Sequence, residues 1–196
     1  MNRRSQEAGD PRHHTAVITD VQSMWEKLTW DIVQFEELQR SMPDLPQPLG
    51  FAAINVCLSA SSLRDWTATA WVKARRASDK RASRDEVVAY IYSHVPQQRM
   101  CEAIANTAKH SMLDSGSWPE GRVELIFEEG DENMPPGYVL RHIHEGGQYD
   151  SIALNAFTSM QRCWWGALQN LGFAFSANPL AFEWRQRQIR AIFGDR

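Results

Sequence analysis

The chain has 196 residues, 43% of them hydrophobic and 23% charged, with a formal net charge of −3. That length suits one well-packed domain, and that composition excludes global disorder. With a sequence pI of about 6.1, the protein is excluded from the class that holds nucleic acid by bulk positive charge, so any basic site must be local.

Residues 1–18 are polar and aperiodic and read as a flexible N-terminal tail, leaving 19–196 as a single helical domain. The tail lacks the apolar run of a secretory signal. No stretch reaches the ~18 apolar residues of a membrane span, so a cytoplasmic location without membrane association is expected. Thr19-Asp20-Val21-Gln22 has the form of a capping box, and Val21, Met24, Trp25, Leu28, Ile32, Phe35 and Leu38 follow at helical spacing up to Arg40. Pro43, Pro46 and Pro48 predict an extended crossing before a second long helix from Gly50 to about Ala77, rich in Ala and Ser.

A basic stretch follows, with Lys73, Arg75, Arg76, Lys80, Arg81 and Arg84 as the candidate phosphate-facing residues. The plainer reading of such a run is a solvated helix end and loop. Ser83-Arg84-Asp85-Glu86 is a second capping box and predicts a short helix to His94, with Pro96 separating it from the next helix.

From Arg122 the hydrophobic period changes to two, with Val123, Leu125 and Phe127 on one side of a strand and Tyr138 to His144 as its partner. The pattern predicts one hairpin over about 122–145, closed by the long loop Glu128 to Gly137. Asp150 is the expected cap of a long helix with Phe157, Met160, Trp164, Leu168 and Leu171 inward and Gly172 at its end. Asn178-Pro179 predicts a last helix to about Phe193. The fold class is therefore mainly α, a bundle of about five to six helices with one β-hairpin inserted before the penultimate helix.

Eight tryptophans (Trp25, Trp30, Trp66, Trp71, Trp118, Trp164, Trp165 and Trp184) fall mostly in helical patterns and read as fillers of inter-helix gaps. Three cysteines at 57, 101 and 163 leave an odd count without a C-x-x-C pair, which reads as reduced thiols rather than a disulfide or zinc framework.

The segment richest in chemistry is Ala105-Asn106-Thr107-Ala108-Lys109-His110. On a helix, Asn106 and His110 stand one above the other, Lys109 lies beside them and Glu102 sits a turn earlier. Met100, Ala103, Ile104, Thr107 and Ser111 are then the docking side. An asparagine and a histidine four residues apart, in a small helical bundle, resemble the HEPN superfamily (higher eukaryotes and prokaryotes nucleotide-binding). Ribonucleases of that family resemble one another in a motif of arginine, a polar residue, three variable residues and histidine, beside a cleft between two protomers. Asn106 and His110 match the polar residue and the histidine, whereas the arginine position is Ala105. The resemblance covers about residues 19–112. It implies a homodimer, an RNA or nucleotide ligand, and a role in toxin–antitoxin or antiviral defence. As catalytic candidates, His110 can serve as general acid or base, Asn106 can orient a phosphate and Lys109 can stabilise its charge, which suits metal-independent transesterification by the ribose 2′-hydroxyl.

Asn55, Ser62 and Asp65 share a face of the second helix, with Trp66 beside them. If buried they need partners, and Asp65 paired with Lys109 or His110 is either a structural polar lock or part of the site. His142 and His144 point the same way from one strand and form a metal pair only with a third ligand such as Glu124 or Glu128. The spacing falls short of a metal motif, so neither a metal nor another cofactor is expected. A glycine-rich phosphate loop, a G-x-S-x-G elbow and an H-E-x-x-H pair are all absent from the sequence. Two functions follow as expectations. One is a HEPN-like protein that binds or cleaves RNA; the other is a non-catalytic helical module that binds another protein.

Overall fold

A computed structural model describes residues 17–76, 82–110 and 121–173. Among them are five helices and one antiparallel sheet, which makes the fold mainly helical with a small sheet attached. The expected helix at 178–193, Trp118 and Trp184, and all but the end of the expected tail lie outside the described residues.

Helix α1 (Val21–Ser41) starts one residue later than its sequence suggests. Asp20, not Thr19, is the cap: its carboxylate accepts from the Ser23 amide at 2.8 Å, and Ser23 Oγ accepts from the Asp20 amide at 3.0 Å. Helix α2 (Pro46–Arg75) begins four residues before the expected Gly50. A first-turn proline gives up an amide that has no intrahelical partner anyway, so Pro46 and Pro48 start the helix instead of delaying it. Helix α3 (Arg84–His94) is capped by Ser83 as expected, and α4 (Gln98–His110) follows.

Strands β1 (Arg122–Glu128) and β2 (Gly137–His144) form the expected hairpin. The sheet continues into a third strand, β3 (Gly147–Ile152), paired to β2 in the order β1-β2-β3. Asp150 therefore lies inside a strand opposite Arg141 and does not cap a helix. Helix α5 (Ala153–Asn170) follows directly, with Ile152 at its start and no side-chain cap. It ends as expected at Gly172, whose φ of 89° is left-handed. The Gly172 and Phe173 amides donate back to the Gln169 and Leu168 carbonyls, both at 3.0 Å, the paired closure that a left-handed residue permits.

Helix α2 is the axis of the bundle and touches each of the other four helices. Its buried Ala52, Ala53, Ser59, Ala60, Ser61 and Ala68 let neighbours approach closely, while Trp25, Leu28 and Phe35 of α1 and Phe157 and Trp164 of α5 fill the space between. Phe35 and Phe157 meet edge to face at 5.2 Å. Burying each such side chain contributes on the order of 3 kcal/mol. Of the tryptophans, Trp25, Trp71 and Trp164 are buried as expected, but Trp30 is exposed and Trp66 and Trp165 are half-buried.

Leu125, Phe127, Tyr138 and Leu140 face the helices from the sheet. Tyr138 donates its hydroxyl to the Pro46 carbonyl at 2.9 Å, and a Cβ at Gly50 would lie 2.5 Å from that hydroxyl. The glycine thus lets the sheet seat on the start of α2.

Candidate functional site

Helix α4 is two things in succession. Its first half buries Gln98, Cys101, Glu102 and Ala105; from Asn106 to His110 every residue is exposed. This corrects the expected facing. Met100, Ala103 and Ile104 are only half-buried and Thr107 is exposed, while the polar Glu102 is 7% exposed and faces the interior. The stripe from Glu102 through Asn106 to His110 is therefore split by depth, because the last turn projects beyond the bundle.

A continuous polar chain explains how Glu102 is tolerated inside. Trp164 Nε1 donates to Gln98 Oε1 at 2.8 Å, and Gln98 Nε2 donates to Glu102 Oε1 at 2.7 Å and to the Ala60 carbonyl at 3.1 Å. The Tyr92 hydroxyl donates to Glu102 Oε2 at 2.7 Å and accepts from Arg64 Nη1 at 3.1 Å, while Arg64 itself lies 3.0 Å from the same carboxylate oxygen. Both carboxylate oxygens are thereby satisfied, as a buried charge requires. Burial works to lower the Arg64 pKa, but the Glu102 and Asp65 carboxylates outweigh it and the net shift is upward. Burial, and then donation to Glu102, push the Tyr92 hydroxyl upward. Arg99 stacks over the Tyr92 ring at 4.5 Å.

Sequence reasoning missed this chain because its members lie on α2, α3, α4 and α5 with no common spacing. The same holds for a second lock between α1 and α2. There Asp31 accepts from Lys27 at 2.6 Å and from buried Ser59, whose oxygen accepts from Lys27 at 2.8 Å.

Asp65 does not meet Lys109 or His110. It pairs with Arg64 at 2.9 Å and with Arg84, which also reaches Thr69 Oγ1 at 3.3 Å. Two guanidiniums within reach on α2 and α3 outcompete the α4 residues. Asn55 is exposed, so it joins neither a buried network nor the α4 group. Lys109 Nζ lies 3.5 Å from Ser61 Oγ, and among the described residues the Asn106 and His110 side chains have no hydrogen-bond partner.

The basic residues are divided. Arg84 is paired with Asp65, Arg75 stacks over Trp71 at 4.6 Å, and Lys73, Arg75 and Arg76 are exposed at the end of α2. Lys80 and Arg81 lie outside the described residues. Ser61 and Lys73 are twelve residues apart on α2, so the basic end begins roughly 18 Å from the Lys109 contact. A cleft of about 720 Å³ lies between the start of α1, the second half of α2 and the end of α5, with Asp65, Trp66, Thr69 and Lys73 on its α2 wall.

On the sheet, Val123 pairs with His142 and Glu124 with Arg141. Alternation then puts Glu124 and Glu128 on the face opposite the two histidines, so neither is a third ligand to them. The His142 and His144 rings lie 5.0 Å apart, and His144 stacks on Tyr149 at 5.2 Å. Among the described residues no group of three or more His, Cys, Asp or Glu side chains gathers in a way that could hold a metal ion. Cys57 and Cys101 are buried free thiols and Cys163 is a half-buried one, and no helix among the described residues is long and apolar enough to cross a membrane.

No protein-family model, no curated protein and no solved structure matches this chain.

Proposed function

We propose that this chain is a HEPN-like RNA-binding protein of a prokaryotic defence or toxin–antitoxin type, working with a second copy of itself, and that the projecting end of α4 is the surface that meets RNA. The observation that carries this reading is the exposure of Asn106, Lys109 and His110 together on a turn whose root is held by the Glu102 network. The network fixes the root of that turn, so the three side chains are presented from a defined backbone position. In the active form His110 takes the proton of a ribose 2′-hydroxyl, that oxygen attacks the adjacent phosphorus, and the 5′-oxygen leaves with a proton returned by the imidazole. Asn106 orients the phosphate, and Lys109 turns from Ser61 to its developing charge. Exposed Lys73, Arg75 and Arg76 extend the contact along the backbone of the RNA.

A second reading is a non-catalytic module that binds another protein. It is favoured by Ala105, which is fully buried at the position where the resembled family carries arginine, and by the mutual neutralisation of Asp65 and Arg84. Ala105 leaves the motif without its arginine, and the Asp65 pairing leaves Arg84 less available to a phosphate. Incubating labelled RNA with the parent and with His110→Ala in chelator separates the two. Cleavage confined to the parent supports the first reading, and neither binding nor cleavage by folded parent supports the second.

A further inference from the structure

The two edges of the sheet are built differently. On β1, six of seven residues are half-buried, and Arg122 and Glu124 form an ion pair at 2.7 Å. On β3 all six residues are exposed, and among the described residues the strand pairs with β2 alone. Tyr149 is 61% exposed and Ile152 44%. Every second residue of such an edge aims its amide and carbonyl away from the sheet.

Natural edges are normally blunted by lysine, proline, a bulge or an unpaired charge. Strand β3 has no lysine and no proline. Its one charge, Asp150, is neutralised by Arg141 of the neighbouring strand, whose Nε and Nη2 each donate to one carboxylate oxygen at 2.9 Å. What remains is a strand whose charge does not repel a second strand.

We propose that β3 pairs with the β3 strand of a second copy of this chain, antiparallel and centred on Tyr149, so that one sheet runs through both molecules. The register follows from symmetry. Two identical antiparallel strands related by a two-fold axis normal to the sheet place residue i opposite residue j with i + j constant and even, because side chains must stay on their own face. Centring on Asp150 opposes two carboxylates directly, which is unfavourable. Centring on Tyr149 opposes the two tyrosine rings, sets each Gln148 amide against Asp150 of the other copy, and places Gly147 against Ser151. Within one chain Gln148 Nε2 already reaches both Asp150 oxygens, at 3.3 and 3.2 Å, so the amide and carboxylate are matched donors and acceptors before the second copy arrives. The pairing does not depend on what α4 binds.

Sedimentation of the full chain from about 1 to 100 μM tests this. The parent is expected to dimerise with concentration, and Tyr149→Lys, which sets two ammonium groups face to face at an exposed position, is expected to weaken the dimer by at least roughly tenfold. At the dilute end of that range, where both proteins are monomeric, its melting temperature and circular dichroism should match the parent's. A register test stands beside it in a Cys163→Ser background with oxidised glutathione as oxidant. Tyr149→Cys should give a disulfide-linked dimer, and Ser151→Cys, whose copies lie far apart in this register, should not. A parent that stays monomeric, a dimer that survives Tyr149→Lys unchanged, or equal cross-linking at 149 and 151 would each overturn the proposal.

Discussion

The Glu102 carboxylate on α4 and the Arg64 guanidinium on α2 meet at 3.0 Å with side chains only 10% and 21% exposed. That contact fixes which way α4 faces, and with it which of its residues reach solvent. Removing Glu102 leaves the mostly buried Arg64 with only the partly exposed Asp65 carboxylate beside it, and takes the acceptor from the Tyr92 hydroxyl and the Gln98 amide. Glu102→Ala should therefore cost about 3 kcal/mol in urea unfolding. The double replacement Arg64→Met with Glu102→Leu should cost less than Glu102→Ala alone, because it leaves neither charge stranded. A double mutant less stable than the single one would show that the pair is worth more than its burial costs.

Alkaline pH acts on the same network. The folded-state pKa of Tyr92 is raised above its unfolded value by burial and by donation to Glu102. The linked stability is full below the ordinary tyrosine pKa of about 10 and is lost as pH rises through the higher folded value. Burial also raises Tyr138, so tyrosinate absorbance followed against pH should show two late-titrating tyrosines, of which one is lost in Tyr92→Phe, and the variant's melting temperature should fall less steeply over that range. Identical profiles for both proteins would remove Tyr92 from the account.

At Gly172 the helix closes with a φ of 89°, and an added Cβ meets nothing within 4 Å. The cost of Gly172→Ala is thus one of backbone conformation alone, about 1 kcal/mol. Gly50→Ala is the contrast, since its Cβ runs into the Tyr138 hydroxyl. Thermal melts of both separate conformational cost from steric cost, and Gly50→Ala should be partly relieved when Tyr138 is also changed to Phe.

Ser59 is 2% exposed and bonded to both Lys27 and Asp31, so Ser59→Ala should cost about 1 kcal/mol of stability. RNA binding, which this account places at the end of α4, should be unchanged when measured below the melting range.

The elements that were legible in the sequence carry local signals. Ser83 with Glu86 announces α3, Gly172 ends α5, and the alternation of Val123, Leu125 and Phe127 marks a strand. Strand β3 carries no such alternation, since every residue of Gly147–Ile152 is exposed, and Asp150 resembles a helix cap until its partner Arg141 is known. The facing of α4 was not legible because Gln98 and Glu102 are polar residues whose burial depends on Trp164, Tyr92 and Arg64 from three other helices. For the same reason the sequence offers Lys109 and His110 as possible partners of Asp65, whereas Arg84, nineteen residues away, holds it.

The most direct test of the central claim is to incubate a labelled mixed RNA pool in chelator with the parent and with His110→Ala, following bound fraction and cyclic phosphate ends together. His110 is exposed, so its replacement should change stability by no more than about 0.5 kcal/mol. The account predicts that the parent binds RNA and produces cyclic phosphate ends, and that His110→Ala binds more weakly and produces none. Folded parent that neither binds nor cleaves, or full activity in His110→Ala, would contradict it.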